Sequence, residues 1–199
     1  MPRTSGNAMA FEPSVAVYDA CILYPFHLRN VMIQAAVDGL VQPRWTDEIH
    51  QGWIRNLMAG TAGIPSDRLQ RTRRLMDNAL PAATVRAYSV HIPAVSLPDP
   101  NDRHVVAAAI ASGASMILTW NIQDFPAREL KKFGLRRQTP DTFLMDLYKT
   151  APDLMVGSLA NARRNLSKSR VSALEFIDIL KNQKLLRLAK QIQERAADL

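Results

Sequence analysis

The chain has 199 residues, 47% of them hydrophobic, which suits one domain with an appendage and excludes wholesale disorder. Its net charge of +7 favours polyanionic partners such as nucleic acid, anionic lipid or an acidic protein. No stretch approaches the roughly 18 uncharged apolar residues of a membrane span, and the opening MPRTSGNAMAFEPS has no apolar signal-like core, so a cytoplasmic protein without membrane contact is expected.

Residues 1–13 read as a flexible tail. The apolar run Val15 to Tyr18 ends at Asp19 and predicts a buried parallel strand. Leu28 to Leu40 has helical spacing and is stopped by Gly39, and Gln42 to Trp45 suits a second strand. Thr46 fits a helix N-cap with Asp47 and Glu48 in the first turn, where the helix dipole favours acids. After a loop marked by Gly60, Gly63 and Pro65, Ser66 or Asp67 is expected to cap a helix over Arg68–Leu80. Residues 85–91 suggest a third strand. LPDPND is a loop, Arg103–Ser112 a helix closed by Gly113, and Ser115–Thr119 a buried strand. The loop WNIQDFP leads to a short helix, Ala127–Phe133, and then to a helix within 138–148 behind an Asp141 cap. Beyond Ala151 strand signals cease. A helix over Pro152–Leu166, a second behind the Ser172/Glu175 capping box and a further helical stretch are expected. Residues 151–199 carry nine basic and five acidic side chains. The expected division is a tail at 1–13, an α/β domain at 14–150 and a helical extension at 151–199. The apolar stripe of Leu174, Ile177, Leu180, Leu185 and Leu188 either packs on the domain or binds a partner helix.

Alternating strands and helices imply an α/β fold with a mainly parallel sheet, whose functional residues lie at the carboxyl ends of strands. Asp19, Asp102 and Asp124 stand at such places. Converging carboxylates repel one another unless a cation is present, and oxygen ligands favour Mg²⁺ or Mn²⁺. Each acid also has a plainer reading: Asp102 as an N-cap, Asp124 as a loop residue, Asp99 beside Pro100 as turn chemistry. Asp19 resists one, because an acid closing an apolar strand is costly unless paired. No GxSxG, Walker, HExxH or dinucleotide motif occurs. His27, His50, His91 and His104 are scattered and read as packing or surface residues. Cys21, the single cysteine, excludes an internal disulfide and has no evident histidine base.

The stretches VAVYDACILYP, WTDEIHQGWIRNL and DPNDRHVVAAAIASGASMILTWNIQDFP resemble, in order, the opening strand, middle helix and second half of PIN domains. The C-terminal helices resemble the extension of one VapC-like subgroup. The resemblance implies a PIN-like (RNase-H-like) α/β/α sandwich and a Mg²⁺- or Mn²⁺-dependent endoribonuclease toxin. It further implies an RNA substrate, a cognate antitoxin and a homodimer as the common assembly. Asp19 matches the first acid and Asp102 the third, while Asn121 and Asp124 share the fourth position. Asp99 matches an auxiliary acid, and Thr119 a polar strand-end residue near the metal.

The sequence departs from the pattern at Gly52, where the family has a glutamate before Trp53. Glycine inside a helix also costs about 1 kcal/mol relative to alanine. Glu48 lies one turn earlier on the same face and is the candidate to reach the metal through water. The alternative is a weakened or inactive PIN-fold module that binds RNA or protein. A third possibility is a structure-specific DNA nuclease. Arg68, Arg71, Arg73 and Arg74, with Arg128, Lys131, Lys132, Arg136 and Arg137, are candidate phosphate contacts or solvated helix faces. Among the tryptophans, Trp120 is the candidate base-stacking residue, whereas Trp45 and Trp53 read as core.

Overall fold

A computed structural model describes residues 11–199. Chain order runs β1 (Ser14–Tyr18), α1 (Ala20–Leu23), α2 (Phe26–Val37), β2 (Val41–Arg44), α3 (Asp47–Gly60) and α4 (Ser66–Ala79). There follow α5 (Arg103–Ser112), β3 (Met116–Leu118), α6 (Ala127–Lys131), β4 (Arg136–Gln138) and α7 (Pro140–Thr150), then α8 (Pro152–Arg164), α9 (Ala173–Asn182) and α10 (Leu186–Gln193). The strands form one parallel sheet in the order β2-β1-β3-β4. Successive residues of β1 and β3 are buried whichever way they point, so both sheet faces are covered, as a parallel sheet between helices requires. This is the α/β sandwich expected of the sequence, with helices appended after it.

Local chemistry explains most boundaries. The Thr46 hydroxyl accepts from the Ile49 amide at 3.1 Å and starts α3. Gly113, at φ +63°, ends α5 in the left-handed conformation that glycine adopts freely. The Ser172/Glu175 capping box opens α9. Trp45 and Trp53 are core residues, and a buried polar chain satisfies their indole N–H groups. Trp53 donates to His50 Nδ1 at 2.9 Å, and Trp45 donates to Asp77 at 2.9 Å. His50 Nε2 lies 3.2 Å from Asp77. Because Nδ1 accepts, the His50 proton sits on Nε2 and faces Asp77, pinning α4 onto α3.

Several expectations are corrected. Residues 85–91 form no strand: Ala87 takes φ +55°, breaking the extended run, and Tyr88–Ala94 winds into a 3₁₀ helix packed along α5. Only an isolated bridge, Trp45 to Thr84, remains of that pairing. Neither Ser66 nor Asp67 caps α4. Pro65 holds the cap position without a side-chain bond, and Ser66 is already helical. Thr139, not Asp141, caps α7. The short α1 and β4 carry no periodic signal, being four and three residues long. Of the expected tail, residues 1–10 lie outside the described residues, while Phe11 packs against the core.

Asp141 caps a different helix. Buried at the seam between α7 and α10, its carboxylate accepts from the Arg187 and Leu188 amides at 3.2 and 3.1 Å, satisfying the free N–H groups that open α10. Ile177, Leu180, Leu185 and Leu188 are buried beside it, whereas Leu174 is 64% exposed and leaves the expected stripe. The apolar face of the extension therefore packs on its own chain. Replacing Asp141 by Ala lowers stability by about 1–2 kcal/mol, as lost helix caps do. Urea unfolding of the two proteins checks this, and equal midpoints would contradict it.

Candidate functional site at the strand ends

The apolar strands β1 and β3 lie side by side and end together, so the polar residues that follow them meet. The Asp19 amide donates to the Leu118 carbonyl at 3.1 Å, and the Thr119 amide to the Gln138 carbonyl at 3.0 Å. Asp19 is buried, and its Oδ2 accepts two side-chain bonds: the Thr119 hydroxyl at 2.6 Å and the Cys21 thiol at 3.1 Å. Both donors are held by the loop. The Asn121 amide donates to Thr119 Oγ1 at 2.9 Å, and the Trp120 amide to Cys21 Sγ at 3.3 Å. One carboxylate oxygen is thus fixed by the protein, while among the described residues no side chain bonds the other. Burial, reinforced by the Asp19 charge, pushes the Cys21 thiol up to about 12, so it donates rather than acts as a thiolate.

Asp19, Glu48, Gly52, Asn101, Asp102 and Asn121 line a pocket of about 200 Å³, with Ala20, Cys21, Arg55, Asn56 and His104 completing its wall. Asp102 occupies the N-terminal position of α5 but makes no cap hydrogen bond, which removes its plainer reading. Asp99 instead supplies the turn chemistry, its carboxylate accepting from the Asn101 amide at 2.8 Å. Burial, followed by the charges of Asp19, Asp99 and Asp124, pushes the Asp102 carboxyl up to about 6. Asp124, in a 3₁₀ turn at Ile122–Asp124, acts through its field without lining the pocket. Glu48 is exposed and stands 3.4 Å from His104 Nδ1. Burial lowers the His104 pKa against the opposing pull of Glu48 and Asp19.

Asp102 sets a pH dependence of known sign. Its folded-state pKa lies above its ordinary value, so folding favours the protonated form. Its contribution is full below about pH 4 and is lost as pH rises through about 6. The metal-free protein therefore loses stability between those values, and Asp102→Asn flattens that slope. Urea midpoints at pH 4.5, 5.5, 6.5 and 7.5 measure the difference, and parallel curves would contradict it.

Gly52 faces the pocket at the close approach of α3 to α1. A Cβ built there meets the Ala20 Cβ at 3.2 Å. Gly52 thus sits at a tight helix contact, which gives this helix-interior glycine a packing reason. Among the described residues, no three His, Cys, Asp or Glu side chains close on a common point as a metal cage.

The basic candidates divide. Arg68, Arg71 and Arg74 are exposed on α4, whereas Arg73 pairs with Asp47 and Asp77. Arg128 and Lys131 are exposed on α6, while Lys132 pairs with Glu129 and Arg137 donates to the Phe125 carbonyl. Trp120 is half-buried against the core. Six lining residues went unassigned on sequence: Ala20, Cys21, Arg55, Asn56, Asn101 and His104. Arg55 and Asn56 carried a signal, since 48, 52, 55 and 56 share one face of α3.

The PIN domain family model matches residues 15–123. The chain belongs to the PIN-domain family. Residues 140–194 match the model described as the VapC50 C-terminal domain, which covers α7 to α10 of this PIN protein. The protein named "Putative ribonuclease VapC50" from Mycobacterium tuberculosis is 38% identical over 64 residues, covering 31% of this chain and 38% of that relative. The aligned part thus spans well under two thirds of the relative. No solved structure matches the chain.

Proposed function

We propose that this PIN protein is an endoribonuclease of the VapC toxin type that cleaves RNA phosphodiesters with the help of Mg²⁺ or Mn²⁺. The observation that carries the reading is the meeting of the Asp19, Asp102 and Asn121 side chains around one pocket of about 200 Å³, with Asp19 buried and held there by Thr119 and Cys21. Gathered carboxylates disfavour the fully ionised site, and a bound cation relieves this. The donor set fits a hard ion. Asp19, with one oxygen free of side-chain partners among the described residues, and Asp102 would hold it, with Asp124 and Asn121 beside them. An open set of few carboxylates suits Mg²⁺ or Mn²⁺, which retain several waters rather than fill a protein cage. When bound, such an ion lowers the pKa of a water and offsets charge developing on phosphate.

The residues of the chain have separate tasks. Thr119 and Cys21 orient Asp19 through Oδ2. Glu48, one turn from Gly52, lines the wall where the family's glutamate is expected and would reach a bound ion through water. Arg55, and the exposed Arg68, Arg71, Arg74, Arg128 and Lys131, attract the phosphate backbone. Trp120 offers a half-buried indole beside Asn121 for a base to stack on. An antitoxin protein, as partner of a VapC-type toxin, and a homodimer belong to the same reading.

Gly52 supports a second reading, a PIN module that binds RNA or protein with weakened or no cleavage. One experiment separates the two. The full-length protein is incubated with structured RNA in Mn²⁺, in Mg²⁺ and in EDTA, alongside Asp102→Asn. Metal-dependent cleavage lost in the variant supports the nuclease, whereas RNA binding with no cleavage under any condition supports the module.

A further inference from the structure

The acid pocket does not end at its own walls. Cys21 and Asn56 also line a shallow recess together with Tyr24, Ala59 and Gly60. Tyr24 in turn lines a groove of about 370 Å³, bordered by residues of α2, α3 and α4 and by Asn165 beyond α8. The three recesses share lining residues in turn, Cys21 and Asn56 between the first two and Tyr24 between the last two, along a path from Asp19 and Asp102 to the basic helix α4.

The far part of the track combines apolar and positive character. Ile33, Leu57, Leu69 and Met76 line the groove, with Arg29 and Arg68 among them. Tyr24 is set by its neighbour. A Cβ at Gly60 would come within 2.9 Å of the Tyr24 hydroxyl, so glycine lets the phenol lie against the end of α3. Phe26, 58% exposed, stands beside it as a second aromatic surface. Arg29 is buried, its guanidinium 5.0 Å from the Trp53 ring centre, and it donates to the Leu23 and Tyr24 carbonyls. Among the described residues no carboxylate pairs with it, so its charge is uncancelled at the groove.

We infer that this track holds a single-stranded stretch of RNA next to the phosphate being cut, with bases on Tyr24 and Phe26 and phosphates drawn by Arg68 and the field of Arg29. The inference rests on the ribonuclease reading of the acid pocket. A polymer cut at the acids must continue along a surface contiguous with them. Aromatic faces beside unpaired arginines are what a splayed single strand requires, since stacking reads any base and cations follow its backbone.

The test measures binding and cutting separately in the full-length protein. A fluorescein-labelled, unstructured RNA 12-mer is titrated in EDTA, where affinity is read without cleavage. Tyr24→Ala weakens binding by about tenfold, within the usual range for loss of one stacking platform, and Tyr24→Phe restores it. Arg68→Ala lowers the salt slope of the affinity by about one. Thermal melting confirms that the variants fold. If wild type cleaves RNA but both variants bind and cut as wild type does, the track is wrong while the nuclease stands. That result would assign the groove to another occupant such as a protein segment. If no RNA is cut yet the variants lose binding, the nuclease reading fails and the track remains as an RNA site. A 12-mer carrying 4-thiouridine that crosslinks only to the C-terminal helices would also overturn the proposal.

Discussion

Asp19→Asn lowers metal-dependent RNA cleavage by roughly a hundredfold or more, the scale of losing a group that stabilises developing charge. The change keeps the side-chain shape. Thr119 and Cys21 can still donate to the remaining carbonyl oxygen, so the strand ends stay joined. What is lost is the charge, and Asp19 is the largest charge contribution to the raised Asp102 carboxyl. The variant should therefore show the Asp102 carboxyl moving back toward the ordinary range in an NMR titration, together with the loss of cleavage. Cleavage surviving at wild-type rate would remove Asp19 from the chemistry. A lost activity with an unfolded variant is recognised by its melting curve.

Gly52→Glu has the second large effect, in the opposite direction. A carboxylate on that wall adds a hard ligand to the proposed metal site, and Mn²⁺ affinity rises at least tenfold, with cleavage following it. Two structural terms oppose each other. Leaving glycine gains part of the roughly 1 kcal/mol helix penalty, while the new Cβ crowds Ala20 at 3.2 Å and needs α1 to yield by a few tenths of an ångström. Ala20→Gly in the same chain relieves the contact, so the double variant separates crowding from chemistry. Unchanged Mn²⁺ affinity in both proteins would mean that Glu48 or water already fills the place, and that Gly52 is not a deficit.

The parts legible in the sequence were those with strong local signals. Four apolar residues ending in Asp19, the Thr46 cap with its acids, and the Ser172 box each name an element through chemistry within one turn. Periodicity likewise located α5 and β3. The errors arise where tertiary contacts decide. Residues 85–91 look extended, but Ala87 turns left-handed and the chain winds onto α5. Asp141 has the local chemistry of a cap, yet serves α10 some forty residues away. In the site, Asp19 was legible from the end of its strand, whereas Asp102 starts α5 after a stretch that forms no strand and was legible only through the family resemblance. The thiol bond from Cys21 to Asp19 and the meeting of Glu48 with His104 were not legible, because they join segments that only the folded sheet brings together.

Titration of Mn²⁺ into the metal-free protein by calorimetry at pH 7.5, beside Asp19→Asn and Asp102→Asn, tests the acid site most directly. Wild type should bind Mn²⁺, each variant should bind at least tenfold more weakly, and wild-type affinity should fall as the pH drops below about 6, where Asp102 protonates. Equal Mn²⁺ binding by all three proteins, or none by wild type, would contradict a metal centre built on these carboxylates.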